Sequence, residues 1–349
     1  MVEFEEVAWR CVDKIGLRKP HDLVVYVPID SVVPTARPEF AFLAPQAKAD
    51  GSFRIRTIRL RKEVSQGLII DKPPDMDIIK WYLAKLGGLP EHIDIVGIDM
   101  SEYLGIKKYE PTETQPPRVA GTYPGWCEKS DAERYQNYNR NIEPHSEDQW
   151  CISLKLDGMS CTVFYDKERE NPIGVCSRNW EVNVDDTGAN KWIETEARPE
   201  NTNNYWKAAF DFDLIIKVQG IATHLNASKV ALQGEICGPG IQKNKMGLDK
   251  IQFYAFDIYN GQTNEFLDYP EFLKICKMFD IQTVPILQTG RTITNDIQTK
   301  FDWVKDLKYS NSTPAEGAVF VAVPLQRIGT LGRLKFKFIS PTFLLKYED

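Results

Sequence analysis

Lys155-Leu156-Asp157-Gly158 joins two runs of alternating, β-branched character, residues 151–155 (CISLK) and 161–165 (CTVFY). Asp-Gly is a turn dipeptide and both flanking runs read as strands, which places the lysine at a strand end beside a turn. Similar runs recur at 230–232, 251–256, 318–322 and 334–338, and a helix is expected from Tyr205 to Gly220. Strands mixed with helices in this way predict an α+β domain of antiparallel sheets flanked by helices.

The first hundred residues read differently. Segments 22–27 (DLVVYV), 52–61 (SFRIRTIRLR) and 67–70 (GLII), separated by Pro, Gly and Asp turns, fit a small β-barrel. Within 52–61, Arg54 and Arg56 share one face while Arg59 and Arg61 share the other, so the alternation slips near Thr57-Ile58. A β-bulge or barrel corner produces such a slip, and the four arginines are candidate nucleic-acid contacts. Residues 78–86 have helical spacing and stop at Gly87-Gly88, and a short helix is expected over 101–105. Pro111, Pro116, Pro117 and Pro124 mark a linker, after which Ser130 and Glu133 read as a capping box opening a helix through Arg134 and Asn137. The expected domains are 1–112, a linker and lead-in helix at 113–147, and 148–349.

A chain of 349 residues is long enough for two cores. Its seven cysteines are scattered and odd in number, which fits reduced thiols in a cytosol-like compartment. The four histidines offer no zinc-ligand spacing. An acidic N-terminus and the absence of a long apolar run predict an intracellular protein with no membrane partner. A net charge of -6 argues against indiscriminate wrapping of nucleic acid but leaves room for a local basic groove.

Five patterns follow the lysine in order: Ser177-Arg178-Asn179, residues 234–239 (GEICGP), 253–257 (FYAFD), 316–319 (EGAV) and 334–337 (LKFK). In this order and spacing they resemble the motif series of covalent nucleotidyltransferases: ATP-dependent ligases and mRNA capping enzymes. Residues 99–111 (DMSEYLGIKKYEP) and 124–137 (PGWCEKSDAERYQN) narrow the match. Together the motifs resemble the RNA ligase family typified by the Naegleria enzyme and its Deinococcus relative, strongly over about residues 90–340 and more weakly over the N-terminal barrel.

The resemblance implies an N-terminal OB-type β-barrel followed by a nucleotidyltransferase domain. DNA ligases and capping enzymes carry their OB module after the last lysine motif, whereas only 12 residues follow Lys337, so the module is expected N-terminal. The family seals RNA in three steps: a lysine takes AMP from ATP, AMP passes to an RNA 5′-phosphate, and a 3′-hydroxyl displaces it. By similarity Lys155 is the nucleophile, and Asp157, Glu235 and Glu316 bind Mg or Mn directly or through water. Phe256 would stack on adenine, Lys335 and Lys337 would hold the α-phosphate, and Arg178 and Asn179 would contact nucleotide or RNA phosphates. The implied partner is RNA with 5′-phosphate and 3′-hydroxyl ends, in nicked duplexes, acted on by a monomer. Two positions depart from related ligases: Leu154 stands where some have glutamate, and Met159 where a small hydroxyl residue is common.

The residue chemistry agrees with that assignment. A lysine ionises near 10.4, so keeping it neutral at pH 7 requires about 4–5 kcal/mol of bias, which neighbouring cations such as Lys335 and Lys337 can supply. Three carboxylates suit a hard divalent cation, an aromatic face suits adenine, and arginine suits bidentate phosphate contact. The other functions to be separated are a DNA ligase, a GTP-dependent capping guanylyltransferase, and an RNA-binding OB protein with an inactive transferase domain.

Overall fold

The structure, a computed structural model, describes residues 1–4, 7–72, 75–86, 95–109, 119–184, 202–292, 302–329 and 332–347. The chain divides into two compact units. The first comprises Met1–Thr112 with Gln136–Arg140 and Leu344–Asp349, the second Glu113–Tyr135 with Asn141–Phe343.

The first unit is built from short antiparallel pairings. Val24–Val27 pairs with Leu68–Asp71, Ser31–Pro34 lies between Ser52–Arg54 and Lys107–Lys108, and Thr57–Leu60 pairs with Glu63–Gln66. Trp9, Val27, Val33, Phe40 and Leu104 fill its core. The expected strand 52–61 is two strands. Its break falls at Ile55-Arg56, where the backbone of Ile55 turns to bond Ser31 and Asp30, rather than at Thr57-Ile58. Arg61 lies outside the strand, in the left-handed turn with Lys62 that closes the hairpin. The apolar helix runs Asp75–Leu86, and its expected stop at Gly87-Gly88 lies outside the described residues. Ser101–Leu104 is a helical turn closed by Gly105 in the left-handed conformation, which glycine adopts without steric cost.

Two large sheets dominate the second unit, beside a short ladder of Arg327–Ile328 with Gly332–Arg333. The larger, in spatial order, is Val119–Thr122, Trp180–Val182, Ile173–Cys176, Met159–Asp166, Lys229–Cys237, Gln252–Asn260 and Glu265–Phe266, antiparallel throughout. The smaller is Glu133–Arg134, Lys335–Ile339, Gly317–Val323, Gln149–Lys155 and Ile286–Arg291, with one parallel pair at its Glu133–Arg134 edge. The segment read as linker thus supplies two strands, and residues 110–118 of it lie outside the described residues.

Helices Asn204–Asp211, Leu214–His224 and Tyr269–Met278 pack on the larger sheet through Trp206, Val218, Ile221, Phe272 and Ile275. The single helix expected over 205–220 is two, because Asp213 takes the left-handed conformation (φ 53°) between them. Asn203 caps the first by accepting the N–H groups of Tyr205 and Trp206 at 3.1 Å, and Asp268 caps the third. Among the described residues no helix is long and apolar enough to cross a membrane, and all seven cysteines are free and buried.

Candidate active site

Lys155-Leu156-Asp157-Gly158 is where the chain leaves one sheet for the other. Lys155 is the last residue of its strand in the smaller sheet, and Met159 opens a strand of the larger one. Gly158 lies against the larger sheet so closely that a Cβ there would meet the Ile236 carbonyl at 2.3 Å. Only glycine fits that corner.

Register then decides which side chains meet. Lys155 faces Gly317, Ser153 faces Val319 and Cys151 faces Val321; those three face Ile339, Lys337 and Lys335 on the next strand. Because side chains alternate, Lys155, Lys337 and Lys335 share the front of this sheet. Phe320, Phe336 and Phe338 share the back, where they pack with Tyr135 and Trp150 at ring-centroid distances of 4.6 to 6.0 Å. Each such aromatic pair adds about 0.5–1.5 kcal/mol beyond its burial, which anchors the strands that carry the lysines. Ser153, Lys155, Val319, Lys335 and Lys337 from the smaller sheet, with Ser160, Glu235 and Phe256 from the larger, line a cavity of about 140 Å³.

Phe256 reaches this cavity through a β-bulge. Gln233 pairs with Asp257 and Gly234 with Ala255, so Phe256 is an extra residue in the ladder. The half-buried ring lines the cavity, 5.4 Å from the Lys335 ammonium, and packs against the buried cluster that includes Leu154, Leu156 and Tyr254.

Carboxylates surround Lys155. Glu316 accepts from Lys155 Nζ at 2.7 Å, Glu235 accepts the Gly158 N–H at 3.0 Å, and Asp157 is held by Lys245. Burial and the neighbouring Glu316 push Asp157 upward, and burial opposed by Lys155 carries Glu235 to about 8. Burial favours a neutral Lys155, but Glu316, Glu235 and Asp157 outweigh it and its ionisation is raised. The direction is set by these carboxylates and not by the neighbouring lysines. Lys337 bears the opposite shift, to about 8, from burial and the adjacent Lys155 and Arg134.

The three carboxylates lie in one another's fields, and oxygen donors of this kind fit a hard divalent cation. Lys155 and Lys245 neutralise two of them, and among the described residues no three His, Cys, Asp or Glu groups stand together as a metal cluster.

Several residues at the site were not read from the sequence. The Tyr309 hydroxyl donates to the Lys155 carbonyl at 3.2 Å and accepts the N–H groups of Asp157 and Glu316 at 3.2 and 3.1 Å. One phenol thereby ties the Lys155–Gly158 turn to Glu316, the counter-ion of Lys155. Ser130, expected to cap a helix, instead bonds Lys335 and Asp257, and the helix begins later, at Tyr135. No periodic pattern marks Tyr309, Lys245 or Ser130, since each acts across a long stretch of chain.

At the mouth, Arg178 pairs with Asp131 at 3.1 Å while more than half exposed, and lines the cavity. Asn179 does not line it; its side chain accepts from Lys129 at 2.6 Å. The basic stripe of the first unit also divides. Arg54 is engaged by Asp30 at 2.6 Å and lies 3.8 Å from the Tyr109 ring centroid, a structural role. Arg56, Arg59 and Arg61 are exposed, with no ion pair among the described residues.

Comparison with known proteins agrees with this geometry. An RNA ligase profile matches residues 148–337, and a profile described as the PHA02142 OB-fold domain matches residues 2–72. Comparison with curated protein sequences gave no match. Among solved structures, a mutant of Naegleria gruberi RNA ligase with ATP and Mn is 31% identical over 98% of this chain and 92% of its own, with a TM-score of 0.76. Another mutant of the same ligase, with AMP and Mn, is 30% identical over 100% of this chain and 96% of its own, also at 0.76. With an RNA ligase profile over more than half of its length and a solved RNA ligase about 30% identical over nearly all of it, the chain belongs to the RNA ligase family.

Proposed function

We propose that this chain is an ATP-dependent ligase that joins RNA 3′-hydroxyl and 5′-phosphate ends through lysyl-AMP and RNA-adenylate, sealing nicks in duplexes. The observation that carries the reading is Lys155 at the cavity wall, with Glu316, Glu235 and Asp157 around it and Lys337 and Lys335 on the same sheet face. The similar Naegleria structures hold ATP with Mn or AMP with Mn, which supports the same pair here.

In the first step the Lys155 nitrogen attacks the α-phosphorus of ATP; the P–N bond forms, the bond to the bridging oxygen breaks, and pyrophosphate leaves. Lys155 must first give up the proton that Glu316 and Glu235 stabilise. A divalent cation held by Asp157, Glu235 and Glu316 would supply the charge that draws these carboxylates off the amine and offsets the phosphate. Lys337, whose own charge burial disfavours, gains an anionic partner when the α-phosphate arrives beside it. Phe256 offers its face to adenine, and Arg178 exchanges its exposed Asp131 partner for phosphate oxygens, which match its fork. Asn179, fixed by Lys129, sets the hairpin that carries Arg178.

AMP then moves from Lys155 to a 5′-phosphate oxygen, and the 3′-hydroxyl displaces it to leave a phosphodiester. Arg56, Arg59 and Arg61 are assigned to the RNA backbone. We propose that the chain acts as a monomer.

Incubation with labelled ATP or GTP and Mg or Mn, followed by denaturation, tests the reading. Label from ATP that disappears in Lys155→Ala is expected; label retained in Lys155→Ala would overturn the nucleophile. Preference for GTP would indicate a capping enzyme, and no label under either metal a binding protein. Nicks with ribose or deoxyribose at the 3′-hydroxyl separate RNA from DNA sealing.

A further inference from the structure

The two lysines of the 335–339 strand are held differently. Lys337 is set among charges that shift it without a bonded carboxylate partner in the cavity, whereas Lys335 is fixed from behind. Its ammonium donates to Asp257 Oδ2 at 2.9 Å and to the Ser130 hydroxyl. Asp257 is wholly buried, and its other oxygen accepts from Arg333 at 2.5 Å. Ser130 also donates to Asp257, and the Ser130 N–H is bonded to Gln233 at 2.8 Å.

One buried carboxylate therefore spans two cations on neighbouring positions of the chain, both nearly inaccessible to water. Such a group is an expensive way to gain stability, since well-packed apolar side chains do as well or better. Its effect on geometry is larger. A lysine on a flexible four-carbon stem loses its freedom when its ammonium is bonded to both Asp257 and Ser130. Asp257 also adjoins the bulge that turns Phe256 into the cavity, so the same short stretch sets both the ring and the ammonium.

We propose that Asp257 is a positioning residue for nucleotidyl transfer: it fixes the Lys335 ammonium at the α-phosphate, with Ser130 as the third point and Arg333 as the counter-cation. The inference rests on the ligase reading.

The test uses the full-length chain as wild type, Asp257→Asn, Arg333→Met and the double variant, followed by thermal melting and by labelling rate against ATP concentration. Asp257→Asn alone leaves two buried cations facing each other, so both melting temperature and labelling are expected to fall. The double variant restores the net charge of the group, and its melting temperature should return toward wild type. Its labelling should stay slower by about 100-fold, with a raised KM for ATP, because Lys335 is no longer aimed. Arg333→Met, which keeps Asp257 on Lys335, should label within about tenfold of wild type. A double variant that regains labelling together with melting temperature would show Asp257 to be structural only, as would an Asp257→Asn variant that labels like wild type. Wild type measured alongside separates the two failures: labelled wild type with a rescued double variant overturns the Asp257 role alone. Unlabelled wild type overturns the ligase reading and this inference with it.

Discussion

Gly317→Ala probes whether the register of the smaller sheet sets the distance between Lys155 and Glu316. Gly317 pairs with Lys155 on one side and Ile339 on the other, and a Cβ added there would stand 1.9 Å from the Phe338 carbonyl oxygen. Real Cβ contacts essentially never fall below 3.0 Å, so the strands must part by about 1.1 Å. Overpacking of this kind costs about 1–3 kcal/mol, and the φ of 156°, which alanine adopts poorly, adds a similar amount. At roughly 2–4 °C per kcal/mol for a chain of this size, the melting temperature should fall by about 4–24 °C. Glu316 is the next residue along, so the same shift moves the counter-ion of Lys155. A displacement near 1 Å in reacting groups costs about 100-fold in rate. Thermal unfolding and ATP labelling read both effects, and Gly125→Ala, where a methyl meets nothing within 4 Å, is the control. A Gly317→Ala protein that melts with the control and labels at the wild-type rate would refute the role given to this register.

Tyr309→Phe leaves two backbone N–H groups and one carbonyl without their buried partner, and should cost about 2–4 kcal/mol by denaturant unfolding and slow labelling more than tenfold. Phe256→Ala should weaken ATP binding by about 1–3 kcal/mol in a Lys155→Ala background, with Phe256→Tyr close to wild type; equal loss in both would deny stacking. Lys337 ionises near 8 when folded and near 10.4 when unfolded, so burying its charge costs stability below pH 8, and that cost fades as pH climbs toward 10.4. Lys337→Met should therefore be more stable than wild type at pH 7 by a margin that shrinks by pH 9.5; a constant margin would contradict the shift. Replacing Arg56 and Arg59 by Glu should weaken binding to a nicked RNA duplex and lower its salt slope by about 2, with Lys155 labelling intact.

The sequence makes the site's chemistry legible and its supports much less so. Lys155, Lys335 and Lys337 were readable because the alternation of a strand is local: residues two apart share a face whatever the tertiary fold. Phe256 was not decidable by that rule, since the bulge beside Asp257 breaks the period and only the partner strand reveals it. Ser130 carried a valid helix-cap pattern, yet a buried carboxylate more than a hundred residues away outcompetes a local N–H for its hydroxyl. The direction in which Lys155 is shifted was not legible for a related reason. Its distance to each charge depends on strand register, which sets Glu316 at 2.7 Å from its Nζ. In the first unit, Arg54 looked like its three neighbours until Asp30 and Tyr109 claimed it.

The turn from Lys155 to Gly158 has a mechanical consequence. Only Leu156, Asp157 and Gly158 separate the last residue of one sheet from the first of the other. A linker of three residues reaches little more than about 13 Å even when fully drawn out, so at this corner the two layers are bound like pages at a spine. Beside Phe256 the same two layers are tied a second time, by Lys335 of one sheet on Asp257 of the other with Ser130 between them. The gap that Lys155 faces is thus pinned by covalent chain at one end and by buried charge at the other.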